Sequence, residues 1–210
     1  MRRMALAAVL TVAMVSSTSA NAAPGQVFHE RYRGSSASAG WHRSSDTFDA
    51  DTMIDVSTTK QGQELFLLQF IEHYDTRGNF TGATTIYGYA TSGFSFAIDA
   101  ARFSSASVSG SGLPAKRCSY DENFRVIGCT RVTFGVEVTW TGHGMVFHGT
   151  IHDHTEEDGI KYRFHWTGHS READASATFS GLAAPLGPMD SAAIGKVNSG
   201  ATTICVGLSC

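Results

Sequence analysis

Residues 131–141 read Arg131-Val132-Thr133-Phe134-Gly135-Val136-Glu137-Val138-Thr139-Trp140-Thr141. Val132, Phe134, Val136, Val138 and Trp140 share one face, and Thr133, Glu137, Thr139 and Thr141 share the other. Alternation with period two makes this a strand with one buried face. Working outward, the pattern resumes after Gly142-His143-Gly144, with Met145, Phe147 and Ile151 expected inward. After the polar stretch Thr155–Gly159, Ile160, Tyr162, Phe164 and Trp166 form the next inward row. Gly168-His169-Ser170 reads as a further turn, and Ala173–Phe179 as a last strand. The region 131–182 is thus expected to be a four-strand antiparallel meander. Trp140-Thr141-Gly142-His143 recurs as Trp166-Thr167-Gly168-His169, two copies of one strand ending rather than a repeat architecture.

The rest of the chain carries the same signature. Val27–Arg33 and Met53–Thr59 alternate, as does Phe94–Ile98. Leu65–Ile71 is nearly all apolar and is expected to be a central strand covered on both faces. Thr81–Thr91 suits a pleated surface, and Ala101–Gly110 a Ser-rich edge or outer face. The fold class is therefore all-β, an antiparallel β-sandwich or small barrel with a C-terminal meander. The sandwich is favoured because several strands keep one polar face. The stretch 183–210, with Pro185, Gly187 and Pro188, reads as a loop-rich tail.

The N-terminus is organised differently. Arg2 and Arg3 precede an uncharged apolar run, Met4–Val15, and Ala20-Asn21-Ala22 provides a cleavage site. Residues 1–23 read as a secretory signal peptide. Residues 24–182 then form a single β domain. Removal of the signal leaves 187 residues (210 minus 23), with 14 basic against 19 acidic side chains. No block of like charge supports a nucleic-acid partner. No later run reaches the ~18 apolar residues of a spanning helix, so no membrane insertion is expected. The expected location is secreted or cell-envelope. Asn79-Phe80-Thr81 fits the N-glycosylation pattern.

Cys118, Cys129, Cys205 and Cys210 are an even set, and two disulfides are the economical reading. Four cysteines allow three connectivities. Pairing neighbours gives Cys118–Cys129, across the tip of a hairpin, and Cys205–Cys210. A zinc site on the four lacks any C-x-x-C pair.

Six of the nine histidines fall between His143 and His169. His148, His152 and His154 share a strand face, opposite Phe147 and Ile151. His165 and His169 lie on the partner row with Lys161 and Arg163. One register pairs His148 with His165 and His152 with Lys161. Another pairs His152 with Arg163 and His148 with Thr167. The first makes His148 and His165, with His152 nearby, candidate ligands for zinc or copper, with Glu137 or Thr150 as a third group. The bland alternative is a solvated polar face that gains charge below about pH 6. No resident cofactor is otherwise expected.

No G-x-S-x-G elbow, H-E-x-x-H, P-loop or dinucleotide fingerprint is present. Asp46, Asp49, Asp51 and Asp55 lack EF-hand spacing and read as a solvated acidic loop. Trp41 and Tyr87 would serve as sugar platforms if exposed, and as core aromatics if not. The export signal, the Val136–Gly142 strand and the Ala173–Phe179 strand together resemble small secreted bacterial β-sandwich proteins of uncharacterised function. The resemblance implies a secreted β-domain and carries over no catalytic residue. A non-enzymatic domain binding a protein or glycan ligand is the leading expectation. A metal-binding protein or metal-dependent enzyme, and a carbohydrate-binding module, are the alternatives.

Overall fold

The computed structural model describes residues 26–157 and 160–206, and the side chains of residues 33–154 and 163–201. The strands are β1 (Gln26–Ser44), β2 (Phe48–Thr59), β3 (Gly62–Tyr74), β4 (Phe80–Ala90), β5 (Phe94–Ile98), β6 (Ser105–Tyr120), β7 (Val126–Glu157), β8 (Ile160–Ser180) and β9 (Met189–Val206). All pairings are antiparallel, and almost every strand lies beside its sequence neighbours. The ladder closes where β1 meets β9 and where β4 meets β6. β5 continues the line of β4: β4 takes the Ala115–Tyr120 half of β6 and β5 takes the Ala106–Gly110 half. The all-β antiparallel expectation holds, as one continuous sheet closed into a ring. Closure gives β4 a partner on each side, β3 and β6, while β5 pairs with β6 alone.

The alternation seen in the sequence fills the ring. Ile54, Val56, Leu65, Leu67, Phe134, Val138 and Trp140 are buried in one cluster, with Trp41 and Ile194. Trp140 Nε1 donates to the Ser38 carbonyl at 2.9 Å, so the indole is both packed and satisfied. One end is closed by the loop at residues 181–188. Gln69, fully buried within the apolar run of β3, holds it there. Its Nε2 donates to Thr52 Oγ1 and the Ala184 carbonyl, and its Oε1 accepts from the Ala183 and Ala184 amides. All of the amide's capacity is used, which is what a polar group in a core requires.

Three expectations are corrected. The region 131–182 is not four strands but two long ones, 32 and 21 residues in length. Gly142-His143-Gly144 is a bulge: Gly142 pairs with Ala173 and Val146 with Arg171, so three residues on β7 oppose one on β8. Gly144 adopts φ 68°, which glycine takes without strain. Gly168 is no turn either, but faces Gly149 across the ladder, where the Trp166 indole lies over both. The segment read as a tail supplies β9, which closes the ring against β1. A strand of small residues such as Ser191-Ala192-Ala193-Ile194-Gly195 carries little β signal of its own. Lastly, Leu65 and Leu67 enter the core while Phe66, Leu68 and Phe70 stand half-buried on the outside, so β3 is not covered equally on both faces.

Candidate functional site

Two surfaces carry chemistry, and both follow from parity along the strands. The first lies where β7, β8, β9 and β1 run past the ring. β6 begins at Ser105, opposite Thr141, and β2 ends at Thr59, opposite Gly34. Beyond these points only the four strands remain paired, forming an open flange.

The bulge at residues 143–145 adds two residues relative to β8, an even number, so even positions on β7 keep facing the ring's interior side. Val146 accordingly packs against the core. His148, Thr150, His152 and His154 continue that row. On β8 the odd row from Ala173, which is buried, continues through Arg171, His169, Thr167, His165 and Arg163. The histidine face is therefore the extension of the interior face. Met145, Phe147 and Ile151, expected inward, stand on the other side, 77%, 53% and 45% exposed.

Neither register considered from the sequence is adopted. His148 pairs with His169, Thr150 with Thr167, His152 with His165 and His154 with Arg163. The His148–His165 pair does not form. The reason is the position of the turn: β7 runs to Glu157 and pairs it with Ile160, which shifts the ladder by four residues from the first expected register and by two from the second. Two histidine pairs result. His148 and His169 meet edge to face, centroids 4.3 Å apart at 85°. His169 in turn stacks on the buried Phe103. His152 and His165 are inclined at 33°, with Nδ1 atoms 3.0 Å apart. Arg171 anchors the base of the file, donating to the carbonyls of Gly144 and Arg102. Glu137 lies in the ring, in register with Ser109 and Thr178 on the outer face, and does not join the histidines. Among the described residues no group of three or more His, Cys, Asp or Glu side chains is arranged around a metal position.

The second surface was not identified from the sequence. Odd residues of β2 and β4 and even residues of β3 point out of the ring. They bring Met53, Phe66, Leu68, Phe70, Tyr87 and Tyr89 onto one wall. Tyr87 and Tyr89 are 39% and 41% exposed, and Tyr87 meets Phe66 edge to face at 5.3 Å. Trp41, the other candidate platform, is buried against Phe179. Asp55 sits beside Phe66 on this wall. Burial, and secondarily the charge of Glu64, push its pKa up to about 7. Burial and Glu64 also raise the Tyr89 phenol. The signal for this wall was present in the sequence: Phe66, Leu68 and Phe70 alternate two apart, as do Tyr87 and Tyr89.

The remaining candidates resolve simply. Asp51 Oδ1 accepts from the His42 Nδ1–H at 2.8 Å, a contact that raises the His42 pKa. Asp46 is exposed in the turn before β2, but Asp49, Asp51 and Asp55 lie on β2 itself rather than in the acidic loop expected. Cys118 and Cys129 are bonded, directly opposed on β6 and β7. The hairpin tip between them is ordered by Asp121, whose carboxylate accepts from the Asn123 and Arg125 amides. The Cys205–Cys210 pairing and the signal segment lie outside the described residues, as does the side chain of Lys161. No helix among the described residues is long and apolar enough to cross a membrane. The chain matches no family model, no curated protein and no solved structure.

Proposed function

We propose that this chain is an exported, non-enzymatic binding domain that docks on a partner protein through the outer wall of β2, β3 and β4. The gathering of Met53, Phe66, Leu68, Phe70, Tyr87 and Tyr89 on one outer wall carries the reading. Folding does not require apolar groups there, because the opposite row of each strand already fills the ring. Exposed apolar patches of this kind mark interaction surfaces, and Tyr is well suited to them, offering large contact area with a polar tip. Phe, Leu and Met beside the tyrosines favour a protein surface over a sugar, which calls for flat, separated platforms.

Export is supported by the N-terminal sequence and by the Cys118–Cys129 bond, which persists in an oxidising compartment. The polar outer wall of β6–β8 speaks against burial in lipid, which would need an apolar band around the whole ring. Co-purification of the mature protein with envelope extract tests the reading. Wild type and a Ser107→Ala/Ser109→Ala variant should retain the same partner, and Tyr87→Ser/Tyr89→Ser should lose it. Retention by all three would overturn the assignment of the wall.

A further inference from the structure

We infer that His152 and His165 form a binding site for one divalent copper ion. Their Nδ1 atoms are 3.0 Å apart at directly opposed positions of β7 and β8. Each neutral imidazole has one N–H and one lone pair. In the metal-free pair one Nδ1 donates and the other accepts. If the donor's proton moves to its own Nε2 and the rings turn, both Nδ1 lone pairs become free to meet at one point, with no net gain or loss of protons.

The ligand type and the first-row affinity order favour copper, and the separation is compatible with it. Two metal–nitrogen bonds of about 2.0–2.1 Å whose nitrogens lie 3.0 Å apart enclose roughly 90–100°. That is the angle of a tetragonal site, which with nitrogen ligands points to Cu²⁺, also the tightest binder of the first-row series. The pair opens on a shallow cleft of about 440 Å³ that also touches His154 and Arg163. Water has room there to complete the coordination.

The neighbouring pair provides an internal control. His148 and His169 meet at 85°, one ring's edge against the other's face, so their lone pairs do not converge. Arg163, in register with His154, places a positive charge beside the site and weakens it. The flange and the aromatic wall are separate surfaces, so failure of this site leaves the docking reading untouched.

The test is titration of the disulfide-intact mature protein with CuCl₂ by calorimetry, with electron paramagnetic resonance of the copper-loaded wild type. One ion per chain is expected, with hyperfine structure from two equatorial imidazole nitrogens. His152→Ala and His165→Ala should each weaken binding by at least the roughly 10–100-fold that loss of an outer-shell partner costs. His148→Ala should bind as wild type does, and Arg163→Gln more tightly. Four results would overturn the site: no saturable binding, binding unchanged in both variants, an equal loss in His148→Ala, or Zn²⁺ bound more tightly than Cu²⁺. The resonance spectrum counts the nitrogens on the wild-type protein, so the conclusion survives a variant that fails to fold.

Discussion

The ring has two outer walls of opposite character. Across β6, β7 and β8 the outward residues are small and polar: Ser105, Ser107, Ser109, Thr139, Ser176 and Thr178. Across β2, β3 and β4 they are Met53, Phe66, Leu68, Phe70, Tyr87 and Tyr89. Both walls stand on the same interior, and their strands follow the same antiparallel rules. The inner row is set by the need to bury apolar surface. The outer row is free of that need, and its divergence on β2–β4 is the feature on which the proposed docking rests. On this account the inner row encodes structure and the aromatic outer row encodes recognition.

Substitutions should separate those two roles. Phe134→Ala, in the shared interior, should destabilise by about 3–5 kcal/mol, as buried Phe truncations do. Thermal unfolding would read it, and partner retention should fall only as the folded fraction falls. Cys118→Ser/Cys129→Ser removes the staple between β6 and β7, beside β4. It should cost about 3 kcal/mol by the chain-entropy relation and leave docking intact in the folded protein. A loss of docking at full folding in either variant would break the division of roles.

Asp55→Asn tests the aromatic wall without truncating it. The Asp55 pKa in the folded chain is about 7, against about 3.9 for an unperturbed carboxyl. The folded state therefore binds the proton more tightly, and stability falls as pH rises from about 4 to 7. The asparagine variant removes that fall. It should match wild type near pH 4 and exceed it by about 1–2 kcal/mol at pH 8, a value discounted for the partial exposure of the side chain. Denaturant midpoints at the two pH values decide it. A variant that loses stability at pH 8 would contradict the environment assigned to Asp55. The smallest effect belongs to Tyr87→Ser/Tyr89→Ser, about 1 kcal/mol or less in stability because both rings are well exposed. Its effect on partner binding should be near complete.

Much of the ring was legible because one strand announces one face. Val132–Trp140, Phe94–Ile98 and the Cys118–Cys129 hairpin behave as their spacing implies. What the sequence concealed was continuity. Gly142 and Gly168 resemble turn residues, yet one belongs to a bulge and the other lies under Trp166. Reading them as turns split two strands into four and put Phe147 and Ile151 inside. Histidine periodicity placed His148, His152 and His154 correctly on one face, but their partners depend on where the β7–β8 turn falls. A four-residue shift in register exchanges His165 for His169 opposite His148. β9 escaped notice because its alanines, serines and glycines form a strand only when β1 and β8 flank them.

The most direct measurement is site-specific photo-crosslinking in the cell that makes the protein, with a benzophenone side chain placed at Tyr89 or at Ser107. The account predicts a discrete protein adduct from position 89 and none from position 107. Adducts of equal yield from both walls, or from position 107 alone, would contradict it.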